Sequence, residues 1–195
     1  FFRENHHFEF MSDTLLPELI HKKSADSQPR LRIWSAGCSS GKEPYSIAMV
    51  LKENIPDIER WDIKILASDL DSNILDVAKA GIYPKERLKD ISLDRRKRWF
   101  QMGRGSNEKS IKVINEIQQM VTYRQLNLTE KWPMKGPFDI IFCRNVTIYF
   151  DRDTRVDLLD RYAELLDNDG CLFVGHSESL FGLTQRFSTI GRTIH

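Results

Sequence analysis

Cysteine is scarce in this chain, and its three copies, Cys38, Cys143 and Cys171, are odd in number and far apart. No CxxC pair and no His at ligand spacing accompanies them, which argues against a disulfide framework or a zinc site and for a reducing, cytoplasmic compartment. No apolar run is long enough to span a bilayer, and no secretory leader is recognisable. A polybasic face is missing too. The 29 Lys and Arg and 28 Asp and Glu are well mixed, for a net charge of +1, which argues against nucleic acid or an anionic membrane as the main partner. The adjacent His6 and His7 lack a carboxylate at suitable spacing, so no metal is expected. Repeats and low-complexity tracts are absent.

What is present is a chain of 195 residues, 41% of them apolar, enough for one domain with a substantial core and no covalent staples. Short apolar runs alternate with helical patterns. LRIWSA (31–36), WDIKILASD (61–69), FDIIFC (138–143) and CLFVGH (171–176) read as buried strands. Helices are expected over Glu43–Asn54, over SNILDVAKAGIY with Ser72 as its cap, over the charged SLDRRKRWF, and from near Asp151 to the DNDG stop. The runs SIKVIN and MVTYRQLNL, after the polar turn MGRGSNEKS, have hairpin character, so an antiparallel insertion is expected at about 101–125. RFSTIGRTI reads as a last strand. Such alternation yields an open α/β sheet, mostly parallel, with helices on both faces.

The segment SAGCSSGKEPYS (35–46) joins the first strand to the first of these helices. Gly37 and Gly41 imply a tight turn that approaches something closely, expected to be a nucleotide-like cofactor. By itself such a turn serves nicotinamide enzymes, methyltransferases and purely structural crossovers alike. Ligands of open α/β sheets bind beyond the carboxyl ends of the strands, and polar residues do follow each strand. Asp69 ends the second at the distance where a carboxylate accepts from both ribose hydroxyls; the alternative is that Asp69 or Asp71 caps the next helix. Asn127 offers an amide to a base edge or merely makes a turn. Glu43 offers a carboxylate to a ligand ammonium or merely favours the first helical turn. Arg144 and Asn145 follow FDIIFC, and His176 and Glu178 follow CLFVG. His176 is expected to be structural, and Cys38 to be packing rather than a nucleophile.

Taken together, SAGCSSGKEPYSIA, ASDLDSNIL with AGIY after it, FDIIFCRNVTIYFD and GHSE resemble the CheR family, the S-adenosylmethionine-dependent methyltransferases that esterify glutamate side chains of bacterial chemotaxis receptors. The resemblance covers essentially the whole chain. It implies a Rossmann-like class I methyltransferase sheet with a small antiparallel β-subdomain, residues 1–195 forming one catalytic domain without the family's helical N-terminal domain. It implies S-adenosylmethionine as cofactor, held by Gly37, Glu43, Asp69, Asn127 and Leu128, with Arg144 and Asn145 closing the site. It also marks Arg3 and Tyr149 as the residues nearest the reacting methyl group, Arg3 orienting a carboxylate of acceptor or cofactor. The expected partner of this monomer is the receptor cytoplasmic domain, and its C-terminal peptide through the β-subdomain. Two departures stand out: Lys42 where the family often has an acid, and Lys109 where a GxGxxxG loop would have its third glycine.

Overall fold

A computed structural model describes residues 1–195. Its centre is a five-stranded sheet of β1 (Arg30–Ala36), β2 (Asp62–Asp69), β6 (Val121–Gln125), β7 (Phe138–Cys143) and β8 (Leu166–Val174), in the order β6-β2-β1-β7-β8. Every neighbouring pair in it is parallel. A smaller sheet, order β3-β5-β4, is antiparallel and consists of β3 (Ile82–Pro84), β4 (Phe100–Met102) and β5 (Ser110–Val113). The helices are α1 (His6–Phe10), α2 (Leu16–Lys23), α3 (Lys42–Asn54), α4 (Ser72–Ala80), α5 (Leu93–Trp99), α6 (Asn115–Gln118) and α7 (Arg152–Leu165).

The period-two alternation of the strands sorts their side chains onto two faces. Leu31, Ile33, Ile140, Phe142 and Phe173 pack under α3 and the N-terminal helices, whereas Trp34, Ile141, Cys143 and Leu172 pack under α7 with Leu158, Leu159 and Tyr162. Strands buried on both faces need apolar residues at every position, and FDIIFC has only Asp139 as an exception. That carboxylate is held by Lys23 Nζ and by the Arg32 amide at 2.8 Å. Residues 6–23 form one continuous helix with a wider π turn at Met11–Leu15, and Phe8, Met11, Leu15, Leu16 and Leu19 turn into the core.

The structure corrects several expectations. The inserted pair is not SIKVIN with MVTYRQ. SIKV pairs instead with residues 82–84 and 100–102, while Val121–Gln125 joins the main sheet parallel to β2. The apolar positions Val121 and Tyr123 suit either arrangement, and α6 between the two runs carries the chain across to the sheet edge. Asp71, not Ser72, caps α4, its Oδ1 accepting from the Asn73 amide at 2.8 Å and the Ile74 amide at 3.4 Å. Of the expected last strand only Thr193 and Ile194, with His195 just beyond it, pair with Leu172–Val174, antiparallel on the outer edge of β8, while Gly191 bridges back to Ile194. In the charged helix before Phe100, Arg95 grips Glu53 (Nη2 to Oε2, 2.6 Å) and covers the Phe2 ring at 4.2 Å.

Candidate cofactor and acceptor site

From β1 the chain steps to β2 on one side and to β7 on the other, so strand order reverses at β1, and a crevice opens there beyond the carboxyl ends. A cavity of about 560 Å³ occupies this place, within the range of small-molecule sites. All nine residues expected at a site, Arg3, Gly37, Glu43, Asp69, Asn127, Leu128, Arg144, Asn145 and Tyr149, line it.

The glycine turn has a different logic from the one its sequence suggests. A Cβ on Gly37 would meet Val146 Cγ2 at 2.3 Å, and one on Gly41 would meet the Ala78 Cβ and Tyr123 Oη at 2.7 Å. Both also have positive φ, +75° and +79°. The close approach is therefore to the protein itself. Its amides are spent inward too: Gly37 and Cys38 donate to the Ser68 carbonyl (2.8 and 2.9 Å), Ser39 to Asp69 Oδ2 (2.7 Å) and Gly41 to the Cys38 carbonyl (3.0 Å). A dinucleotide pyrophosphate needs such amides turned outward, so this turn does not cradle one. Burial, then Asp69 and Glu43, pushes the Cys38 thiol up, which leaves it inert.

Asp69 fastens the turn to the end of β2, with Oδ1 accepting from the Asp71 amide at 3.1 Å; each oxygen retains a lone pair for a ligand hydroxyl. The Asn127 amide is committed locally. Its Oδ1 accepts from the Thr129 amide and hydroxyl (3.1 and 2.9 Å) and its Nδ2 donates to Glu130 (3.1 Å), so here the turn reading holds for the side chain. Leu70, Leu126, Leu128, Val146 and Phe150 give the cavity apolar walls.

Glu43 and Arg144 form its charged floor. The Arg144 Nη1 lies 3.2 Å from Glu43 Oε2, and the Ser35 hydroxyl donates to Glu43 Oε1 at 2.8 Å. The second Arg144 nitrogen donates to the Arg3 carbonyl and lies 3.3 Å from Glu4 Oε2. Desolvation raises the Glu43 pKa, opposed by Arg144 and by the Ser35 hydrogen bond and assisted by Glu4. A buried carboxyl in that condition favours a further cation beside it. The Arg3 side chain is exposed and has no partner, and Tyr149 is 80% exposed at the rim, so it is no part of the core.

Two further residues, to which the sequence reading gave no role, organise this floor. Glu178, 5% exposed, accepts from the amides of Gly175 (2.6 Å), Asn145 (2.7 Å), Val146 (2.9 Å) and Thr147 (2.7 Å) and from the Thr147 hydroxyl (2.8 Å). It fixes the loop after β7, where Asn145 takes φ +59°. Glu4 joins the N-terminal arm to Arg144. In sequence, the signals for Glu178 are its place just after a strand end and in the GHSE motif, and Glu4 offers only its adjacency to Arg3.

A parallel sheet whose crevice offers a carboxylate for hydroxyls, apolar walls for a flat base and a buried acid awaiting a cation suits an adenosyl sulfonium. These features define a class I, S-adenosylmethionine-binding methyltransferase domain. The family described as CheR methyltransferase, SAM binding domain, matches residues 1–195, and the chain belongs to that family. It is 45% identical over 196 residues to a "Probable chemotaxis protein methyltransferase" of Rhizobium etli, covering 100% of this chain and 72% of that one. Chemotaxis protein methyltransferase 2 of Pseudomonas aeruginosa is 41% identical, with 100% and 68% covered. The Escherichia coli chemotaxis protein methyltransferase is 42% identical over 197 residues, with 100% and 65% covered. No helix is long and apolar enough to cross a membrane.

Proposed function

We propose that this domain transfers the methyl group of S-adenosylmethionine to glutamate carboxylates on the cytoplasmic part of chemotaxis receptors, forming methyl esters. The observation that carries the reading is the composition of the cavity: two cations without a carboxylate partner, Arg3 and Lys42, line it, and no free carboxylate or histidine does. Its two carboxylates are engaged, Glu43 with Arg144 and Ser35 and Asp69 with backbone amides, and no His lines it. An amine or hydroxyl acceptor would need a proton removed. A glutamate, with an ordinary pKa near 4.3, is already ionised at neutral pH and needs only alignment.

When bound, the cofactor supplies a methyl group already activated by its sulfonium. Arg3 then draws the acceptor carboxylate into line, and the Tyr149 hydroxyl walls the reacting centre. Asp69 takes the ribose hydroxyls, Glu43 the ligand's cationic end, and Leu126 and Leu128 the base side, bordered by the turn at Asn127. Gly37, Arg144 and Asn145 shape and close the floor. The receptor's C-terminal peptide is assigned to the β-subdomain, whose β3 and β4 are both edge strands. Its loop supports this despite Lys109. Gly103 is required, because a Cβ there would lie 1.9 Å from the Asn107 carbonyl oxygen, whereas Lys109 keeps negative φ and accepts from the Lys85 amide at 2.8 Å. The domain acts as a cytoplasmic monomer.

Incubation with methyl-labelled cofactor and receptor cytoplasmic fragments should give base-labile label on the receptor. Labelled small acids with unlabelled receptor would replace this reading by a small-molecule methyltransferase; binding without transfer would replace it by a silent regulatory module. Asp69→Ala should weaken cofactor binding by about 1.5–3 kcal/mol, the worth of hydrogen bonds to a charged group, read by calorimetry. Unchanged affinity would leave Asp69 only its role in fastening Ser39 and Asp71. Tyr149→Phe should lower turnover more than cofactor affinity, with stability within about 0.5 kcal/mol of the parent at so exposed a site. Equal losses of turnover and affinity would instead make Tyr149 a binding residue.

A further inference from the structure

Of the three cations that line the cavity, Arg3, Lys42 and Arg144, the proposed reaction leaves Lys42 without a task. Arg144 is taken up by Glu43, Glu4 and the Arg3 carbonyl. Arg3 is held in readiness. It lies between two non-glycine residues in the left-handed region, Phe2 at φ +53° and Glu4 at φ +57°, conformations that persist only where surrounding contacts hold them. Phe2 is fixed by its amide on Ser46 Oγ (3.0 Å), and Glu4 by its Oε1, which accepts from the His176 amide at 3.2 Å. The Ser46 hydroxyl in turn donates to the Lys42 carbonyl at 2.8 Å. The arm that carries Arg3 is thus fastened to the first turn of α3, where Lys42 stands.

Nothing in the protein answers the Lys42 ammonium. The residue is half-buried, and no carboxylate or carbonyl engages its side chain. Burial, then the charges of Arg87 and Arg3, lowers its pKa, and no carboxylate counters them. As the first residue of α3 it also stands at the end of the helix where a cation is disfavoured. A cation in that condition raises the free energy of the empty cavity, and an anion entering beside it lowers it again.

Two anions enter under the proposed reaction, the carboxylate of the acceptor and that of the cofactor's amino-acid end. The glycine turn has little to offer either, the amides of Gly37, Cys38, Ser39 and Gly41 being spent inward. We propose that Lys42 is the second carboxylate-binding residue of the cavity, so that it and Arg3 between them hold both anions. With Arg3 on the acceptor, the cofactor's carboxylate falls to Lys42. The ammonium on the same carbon falls to Glu43, the next residue of α3, so that neighbouring side chains grip both charges of the amino-acid end. The inference rests on the proposed reaction and deepens it.

Calorimetric titration of the domain and of Lys42→Gln with S-adenosylhomocysteine and with 5′-methylthioadenosine, which lacks the amino-acid end, tests it. Lys42→Gln should weaken S-adenosylhomocysteine by roughly three- to tenfold, between the worth of an exposed ion pair and that of an enclosed one, and leave 5′-methylthioadenosine unchanged. Lys42→Arg should recover most of the loss. A rise confined to the KM for receptor fragments would exchange the roles of the two cations and still place a carboxylate on Lys42. Unchanged affinities with an unchanged KM overturn the proposal, as does an equal loss for both nucleosides, which would make Lys42 only a support of the turn. The titrations decide the cofactor's share whatever the acceptor proves to be. If the parent domain binds neither nucleoside, the cofactor assignment itself fails, and the inference with it.

Discussion

Replacing Glu178 by alanine should lower stability by upward of about 4 kcal/mol, since each buried donor left without an acceptor costs about 1–3 kcal/mol. Four amides and one hydroxyl converge on this carboxylate. For a domain of this size the loss corresponds to a fall in Tm of roughly 8–16 °C. Glutamine should not rescue it. Oε1 faces three donors and Oε2 two, so either orientation of the amide points its NH2 at other N–H groups. The loop from Asn145 to Tyr149 should loosen with the melt, and cofactor affinity should fall. A thermal scan in which Glu178→Ala melts within 2–3 °C of the parent, roughly 1 kcal/mol, would show that water or a rearranged loop replaces the carboxylate.

Arg144→Met should cost about 3–5 kcal/mol, the range seen when one partner of a buried ion pair is removed. The Arg144 side chain is 3% exposed and lies between Glu43 and Glu4. Its loss leaves two enclosed carboxylates and the Arg3 carbonyl without their common donor. The sign of the pH dependence follows. Burial already raises the Glu43 pKa and Arg144 opposes that rise, so without Arg144 the folded variant binds more protons there, and its stability falls as pH rises past the ordinary glutamate value. The deficit relative to the parent should therefore be largest at neutral pH and shrink toward pH 4–5. Denaturant melts at several pH values check this. A deficit independent of pH would mean that lost packing against Phe8, whose ring centroid lies 5.8 Å from the guanidinium, and not charge, is what Arg144 supplies.

Much of the architecture was legible because local chemistry and tertiary role coincide. FDIIFC and LRIWSA are apolar at nearly every position, which only a strand covered on both faces requires, and both are central strands. The acids and amides placed after the strands converge on one cavity because a parallel sheet brings all its carboxyl ends to the same rim. The hairpin was misassigned where two apolar runs of similar length offered no signal for partner or direction; β5 found its partners at 82–84 and 100–102 through turns that sequence spacing does not specify. The glycine turn gives the opposite lesson. Its need for glycine was readable, but the cause lies in Val146, Ala78 and Tyr123, which reach it from far along the chain.

The sequence by itself determined the alternating α/β order, the buried strands, the strand-end residues and, through its motifs, the family. Period and composition act locally, and topology rules carry them to a parallel sheet with one functional rim. Only the tertiary structure decided which charge answers which. Glu178 collects its amides, Arg144 sits between Glu43 and Glu4, and Asn127 turns its amide back on Thr129, because burial and distance across separate segments set those pairings. Residues 4, 43 and 144 are distant in the chain, as Glu178 is from the loop it holds, and no local pattern encodes the low-dielectric space in which such partners meet.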